Sequence, residues 1–112
     1  MKLLFLDDHQ INKKIFLLRC PPKFEVFTAD NVTTASHLLK EHKFDVIVSD
    51  AILSSEDNDL SSSTGLSFVR DCVVEFPDTI LVLFSGLIES YRLSEGIHFL
   101  PKNEYIDFLL SY

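Results

Sequence analysis

Side chains of four short stretches are suited to act together in one chemical step. They are Asp7 with Asp8, Asp50, Ser85 followed by Gly86, and Lys102. Each stretch comes directly after a short apolar run. Carboxylates are the hard oxygen ligands that Mg²⁺ prefers, a hydroxyl donates a hydrogen bond, and an ammonium group pairs with an anion. These residue types indicate a site for an anionic phosphoryl group and a cation.

The charges at such a site are balanced only if a metal ion is present. Three carboxylates in one pocket repel, and one would take up a proton unless cations compensated them. Mg²⁺ and Lys102 together supply three positive charges against three negative ones. With the charge neutralised, Asp50 can attack a phosphoryl group and form an aspartyl phosphate. Ser85 and Lys102 are expected to contact phosphoryl oxygens, and Gly86 leaves room for that group.

Asp50 follows the clearest strand of the sequence. Val46, Ile47 and Val48 are consecutive β-branched residues with no polar alternation, which predicts a strand covered on both faces, as in a parallel sheet. In parallel sheets ligands bind at the carboxyl ends of the strands. Asp50 is therefore expected at the binding edge of the sheet.

The remaining elements repeat this pattern along a single domain, residues 1–112. Short apolar runs alternate with segments of three-to-four spacing, which predicts an α/β fold with a doubly wound, five-stranded parallel sheet. One predicted helix carries Ile11, Ile15 and Leu18 on one face. We expect strands at about 3–6, 25–28, 44–50, 80–84 and 98–100, helices at about 10–19, 32–41, 65–76 and 104–110, a Ser-rich acidic loop at 54–64, and a brief helix at most within 86–96.

Composition limits the classes of partner. The net charge of −7 opposes phosphate backbones and anionic membranes, so direct nucleic-acid binding and membrane binding are not expected. No segment approaches the roughly 20 apolar residues of a membrane span. Cys20 and Cys72 lack metal-ligand spacing and are expected to be reduced and structural. The four histidines have no paired spacing, so none of them, His9 included, is predicted to be a metal ligand. A soluble cytoplasmic protein is the expectation.

The pattern resembles the receiver domains of two-component response regulators over residues 1–112. That family has an acidic pair after the first strand, a phosphoacceptor Asp after the third, Ser or Thr and a small residue after the fourth, and Lys after the fifth. The corresponding residues here are Asp7-Asp8, Asp50, Ser85-Gly86 and Lys102. The resemblance implies a flavodoxin-like sheet with strand order 2-1-3-4-5.

The resemblance also implies roles for particular residues. Asp8 would ligate Mg²⁺ directly, Asp7 mainly through water, and the backbone carbonyl of Ile52 would be a further ligand. Phe99 would be the aromatic residue that switches with Ser85 and changes a protein-binding surface. The implied partners are a sensor histidine kinase or phosphotransfer protein, which donates the phosphoryl group to Asp50, and a downstream protein target. Such a protein catalyses only its own phosphorylation and dephosphorylation.

Several departures from that family pattern leave other functions open. Asn103 replaces the usual Pro after Lys102, so a trans bond is expected there. The helices on either side of the fifth strand are short, and the loop after Asp50 is long. A receiver-like adaptor that binds its partner without phosphorylation is one alternative, and a Mg²⁺-dependent phosphatase is another. A dinucleotide-binding protein fits the sequence poorly because no glycine lies in the first βα turn. A haloacid-dehalogenase-type phosphatase also fits poorly, because Asp7-Asp8 lacks the spacer residue of the Asp-x-Asp motif.

Overall fold

Strands and helices alternate along the chain in a computed structural model that describes residues 1–50, 64–85, 96–101 and 104–111. The elements are β1 (Lys2–Leu6), α1 (Gln10–Arg19), β2 (Glu25–Ala29), α2 (Val32–Glu41), β3 (Val46–Asp50), α3 (Thr64–Glu75), β4 (Ile80–Ser85), β5 (Ile97–Pro101) and α4 (Tyr105–Ser111). All five strands and the four longer helices are confirmed. The loop predicted at 54–64, apart from Thr64 in α3, and the brief helix predicted within 86–96, apart from Gly96, lie outside the described residues.

All five strands form one parallel sheet in the order β2-β1-β3-β4-β5. β1 is an interior strand that pairs with both β2 and β3, and Leu6 lies opposite Ser49. The doubly wound α/β fold and the strand order 2-1-3-4-5 are therefore confirmed. The carboxyl ends of β1 and β3 become neighbours at one edge of the sheet.

Side chains along each strand point alternately to the two faces of the sheet. Both faces are buried, each in its own core cluster. Leu4, Leu6 and Ile47 pack in one core cluster with Phe68, Val69 and Cys72 of α3. Phe5 and Val48 pack in the other cluster, on the side of α1 and α4. The continuous apolar runs of β1, β3 and β4 follow from this two-sided burial.

Helix α1 packs on the sheet through a different face from the apolar one seen in the sequence. Its buried residues are Phe16 and Asn12. Ile11, Ile15 and Leu18 do share a face, but they are 63%, 41% and 85% exposed. Apolar residues spaced three to four apart predict a helix, but this spacing does not determine which side of the helix packs on the core. In α1 the large ring of Phe16 is the apolar side chain that packs on the sheet. The apolar face of α1 is open to solvent.

The two cysteines are free thiols, as expected. Cys72 is 2% exposed, and its burial raises the pKa of the thiol to about 12. It is therefore protonated at neutral pH, as a structural cysteine should be. No helix among the described residues is long and apolar enough to cross a membrane.

Candidate functional site

Three carboxylates meet at the carboxyl edge of the sheet. Asp7 and Asp8 come directly after β1, and Asp50 is the last residue of β3. The backbone N–H of Asp7 still donates to Ala29 O, at 3.1 Å, so the parallel ladder with β2 continues into the acidic pair. One ligand atom each from Asp7, Asp8, Asp50 and His9 lies within 4.8 Å of the other three. The convergence of the three predicted acids is thus present in the structure.

Asp7 is fully buried, and donors of the chain satisfy both of its oxygens. The backbone N–H of His9 donates to Asp7 Oδ1 at 2.8 Å, and Asn12 Nδ2 donates to Asp7 Oδ2 at 2.9 Å. Asn12 is itself buried, on the inner face of the first turns of α1. A buried carboxylate is tolerated only when it is hydrogen-bonded in this way. These contacts fix the orientation of Asp7 beside the other two acids.

His9 extends the site toward solvent. Its ring Nδ1 lies 3.1 Å from Asp7 Oδ1 and 3.0 Å from Asp8 Oδ1, while its side chain is 53% exposed. The hydrogen bond with Asp7, followed by the attraction of the Asp8 carboxylate, raises the pKa of His9 above its ordinary value. His9 also precedes α1 as its N-cap residue, yet its side chain makes no capping hydrogen bond. The ring is directed at the carboxylates instead.

Four aromatic rings form a stacked column within one core cluster. Phe16 stacks on Phe5 with ring centroids 4.2 Å apart, Phe5 lies 5.7 Å from Phe84, and Phe84 lies 4.4 Å from Tyr105. Phe84 is opposite Asp50 in the β3–β4 register. Burial, followed by the negative charge of Asp7, raises the pKa of the Tyr105 phenol. The column joins α1, β1, β4 and α4.

The other predicted site residues are described only in part. Ser85 ends β4 opposite Pro101 of β5, and its backbone lies one residue beyond the position that pairs with Asp50. The side chains of Ser85 and Phe99 lie outside what the structure describes. Ile52, Gly86, Lys102 and Asn103 also lie outside the described residues.

The donor set fits Mg²⁺. Carboxylate oxygens, supplemented by water, are the ligands this ion takes in proteins, and one or two carboxylates are enough. The acids at this edge are Asp7, Asp8 and Asp50, and His9 lies beside them. Which of the three acids contact the ion directly stays a prediction.

His9 and Asn12 were not identified as site residues from the sequence. For Asn12 a signal existed in the sequence. It is a polar residue four positions after Asp8, near the start of the predicted helix, where a residue of the inner helix face lies close to the acidic pair. For His9 the only signal was its position directly after the pair. The paired spacing normally required of a histidine ligand does not apply here, because the partners of His9 are the adjacent carboxylates of Asp7 and Asp8.

Replacing Asn12 with Leu tests whether the held orientation of Asp7 matters for cation binding. The substitution leaves Asp7 Oδ2 buried without its donor at a site of similar volume. We expect Mg²⁺ affinity, measured by isothermal titration calorimetry, to fall about 10–100-fold, since residues that orient a ligand typically have effects of this size. We also expect the free energy of unfolding to fall by about 1–3 kcal/mol.

Gln10 provides the matched control for this substitution. It is an exposed amide at the start of the same helix. Gln10→Leu should leave both Mg²⁺ affinity and stability near those of the wild type. Unchanged Mg²⁺ affinity in Asn12→Leu would show that the orientation of Asp7 does not contribute to the site.

Solved structures similar to this one are receiver domains and response regulators. A two-component transcriptional regulator AraC from Clostridium phytofermentans has a TM-score of 0.77 and 19% identity, covering 99% of this chain and 90% of its own. The signal receiver domain of an HD domain-containing protein from Pseudomonas fluorescens has a TM-score of 0.76 and 23% identity, covering 98% of this chain and 88% of its own.

A response regulator from Burkholderia pseudomallei, solved with a phosphorylated aspartic acid, a calcium ion and citrate, has a TM-score of 0.77 and 22% identity, covering 98% of this chain and 64% of its own. No family model matches the sequence, and no curated protein matches it. At these identities the similarity establishes the fold, which is that of response regulator receiver domains.

Proposed function

We propose, from the receiver-domain fold of this chain, that it is a phosphoacceptor of a two-component phosphorelay. Asp50 accepts a phosphoryl group from a phosphohistidine donor in the presence of Mg²⁺. The observation that carries the proposal is the convergence of Asp7, Asp8 and Asp50 within 4.8 Å at the carboxyl edge of the sheet. Similar chemistry is known at the same fold, since the Burkholderia regulator was solved with a phosphorylated aspartic acid and a calcium ion.

Asp50 performs the transfer as a nucleophile. One of its carboxylate oxygens attacks the phosphorus atom, an O–P bond forms, and the N–P bond to the donor histidine breaks. The leaving imidazole keeps the electron pair of that bond and is protonated. Bound Mg²⁺ supplies positive charge that offsets the acids and the phosphoryl oxygens. Attack of water on the phosphorus of the aspartyl phosphate reverses the modification, so the protein turns over no external substrate.

The residues implied by the family resemblance would convert phosphorylation into a change of the protein-binding surface. Ser85, at the end of the neighbouring strand β4, donates its hydroxyl to a phosphoryl oxygen, and Lys102 pairs with another. The backbone carbonyl of Ile52 completes the cation ligands. Movement of Ser85 permits Phe99 to rotate inward, and a downstream protein binds the altered surface.

The exposed face of α1 is a suitable docking surface for the donor. Ile11, Ile15 and Leu18 form an apolar stripe, and Lys14 and Arg19 on the same helix are exposed as well. No acid occurs in α1, although the whole chain carries a net charge of −7. Because α1 begins two residues after Asp8, a helical partner on this stripe with acidic flanks would bring its phosphohistidine close to Asp50.

Intact mass spectrometry tests the proposed function. The full chain is incubated with Mg²⁺ and acetyl phosphate, a small phosphodonor, beside an Asp50→Asn variant. We expect the wild type to gain the mass of one phosphoryl group and the variant to gain none. An adduct of equal yield in both would refute Asp50 as the acceptor. Absence of a phosphoryl adduct in both proteins would favour the adaptor function. Hydrolysis of many phosphoester molecules by each protein molecule would favour a phosphatase.

Replacing Leu18 with Asp tests the docking surface separately from the chemistry. A charge at Leu18, the most exposed residue of the stripe, should lower the rate of phosphotransfer from a phosphohistidine protein by at least about tenfold, because buried apolar anchors contribute 1–2 kcal/mol or more to an interface. Labelling by acetyl phosphate, which needs no docking, should stay unchanged. Both rates are measured by intact mass over time.

Val74 is the matched control, since it is 83% exposed on α3 compared with 85% for Leu18 on α1. Val74→Asp should leave both phosphodonors equally effective. If Leu18→Asp transfers from the protein donor at the wild-type rate, the stripe on α1 is not the docking surface.

A further inference from the structure

The His9 side chain occupies an unusual place at the edge of the carboxylate cluster. Its backbone N–H is held by Asp7 Oδ1 at 2.8 Å, which fixes the start of the turn into α1. Its ring is not used as a helix cap, and it packs in neither core cluster. With half of its side chain in solvent, the ring still lies over Asp7 and Asp8.

The separations between these atoms match the geometry of a small coordination sphere. When metal–ligand bonds are about 2.0–2.2 Å, adjacent ligands lie roughly 3 Å apart and opposite ligands roughly 4.2 Å apart. His9 Nδ1 is 3.0 Å from Asp8 Oδ1 and 3.1 Å from Asp7 Oδ1. All four candidate ligand atoms, including that of Asp50, fall within 4.8 Å of one another. The Nδ1 atom of His9 therefore lies at the distances from Asp7 and Asp8 that an adjacent ligand of the same ion would have.

We propose that His9 is a nitrogen ligand of the cation site and determines which ion the site prefers. The inference rests on the cation site of the proposed function and adds a residue to it. Three carboxylates without an imidazole suit Mg²⁺. An imidazole ligand favours ions such as Ni²⁺ and Zn²⁺, which bind sites of nitrogen and oxygen ligands more tightly than Mn²⁺ or Fe²⁺ does. The site with His9 binds these ions much more tightly than it binds Mg²⁺.

Calorimetric titration of the full chain with Ni²⁺ and, separately, with Mg²⁺ tests this role. His9→Asn removes the imidazole and retains the backbone donor to Asp7, and Asn is a favourable N-cap residue, so the fold is expected to persist. We expect the variant to bind Ni²⁺ at least about tenfold more weakly and Mg²⁺ with an affinity within about threefold of the wild type. His37→Asn, an exposed histidine on α2, should change neither affinity.

Nitrogen-15 NMR of the histidine rings, recorded with Zn²⁺, gives a second reading that does not depend on phosphorylation. We expect one ring nitrogen of His9 to shift on addition of Zn²⁺, in wild-type protein and in His37→Asn. Equal changes in Ni²⁺ and Mg²⁺ affinity in His9→Asn, or a His9 ring that does not shift, would overturn the proposal. If both affinities rose together, the imidazolium would be a competing cation rather than a ligand.

The same titrations separate this inference from the proposed function. A wild type that binds no Mg²⁺ contradicts the Mg²⁺-dependent phosphoacceptor. His9-dependent binding of Ni²⁺ would still establish His9 as a ligand in that case. Conversely, Mg²⁺ binding with no His9 dependence for Ni²⁺ leaves the phosphoacceptor intact and removes His9 from the ligand set.

Discussion

Replacing Asp8 with Asn is expected to abolish the stabilisation of the fold by Mg²⁺. Asp8 is 6% exposed in its side chain, and one of its oxygens lies within 4.8 Å of ligand atoms of Asp7 and Asp50. An ion that binds only the folded state stabilises it by about 2.7 kcal/mol when its concentration is one hundred times the dissociation constant. Urea unfolding of the wild type should show this increase on addition of Mg²⁺, and Asp8→Asn should show almost none.

Asp30 offers the matched control for Asp8. It is also an acid at the carboxyl edge of the sheet, just after β2, but its side chain is 55% exposed and pairs with Lys13 outside the cluster. Exposed ion pairs contribute little to stability, so Asp30→Asn should keep the full response to Mg²⁺. Equal responses in wild type, Asp8→Asn and Asp30→Asn would mean that the ion acts elsewhere or only by screening charge.

Replacing Phe16 with Ala is expected to cost about 3–5 kcal/mol of the free energy of unfolding. Phe16 is fully buried, stacks on Phe5 at 4.2 Å and lies 6.0 Å from Tyr105. Its removal opens a cavity in the aromatic column and takes away the main apolar contact of α1 with the sheet. Urea unfolding followed by circular dichroism at low temperature measures the loss.

Two further variants make this prediction specific to the column. Leu17→Ala, at a neighbouring position that is 53% exposed, should change stability by no more than about 0.5 kcal/mol. Phe16→Leu should lose less than Phe16→Ala because part of the volume is retained. Similar losses in Phe16→Ala and Leu17→Ala would show that α1 does not depend on its inner face.

The sheet and the meeting of the three acids could be predicted from the sequence for a physical reason. Strands buried on both faces must be continuously apolar, so Val46, Ile47 and Val48 identify β3 without any tertiary information. Parallel strands then bring the residues after them to one edge, which places Asp7 and Asp8 beside Asp50. Local pattern and topology agree in this part of the chain.

The orientation of α1 and the inner contacts of the site depend on tertiary packing and could not be obtained in that way. Helical periodicity predicted the stripe of Ile11, Ile15 and Leu18, but the choice of packed face depended on the fit of Phe16 against Phe5. The hydrogen bond from Asn12 to Asp7 requires a specific side-chain rotamer, which sequence spacing does not specify. Exposed apolar residues and buried polar residues both depart from the usual packing pattern, and such departures are expected at functional sites.

Reductive trapping of the aspartyl phosphate is the most direct measurement of phosphorylation at Asp50. The chain is incubated with Mg²⁺ and acetyl phosphate and then treated with borohydride, which reduces an acyl phosphate to the alcohol and so converts a phosphorylated aspartate to homoserine. Peptide mass spectrometry then locates the converted residue. We expect homoserine at position 50 and unchanged aspartate at positions 7 and 8. Conversion at position 7 or 8, or at no position while Mg²⁺ is bound, would contradict the phosphoacceptor function.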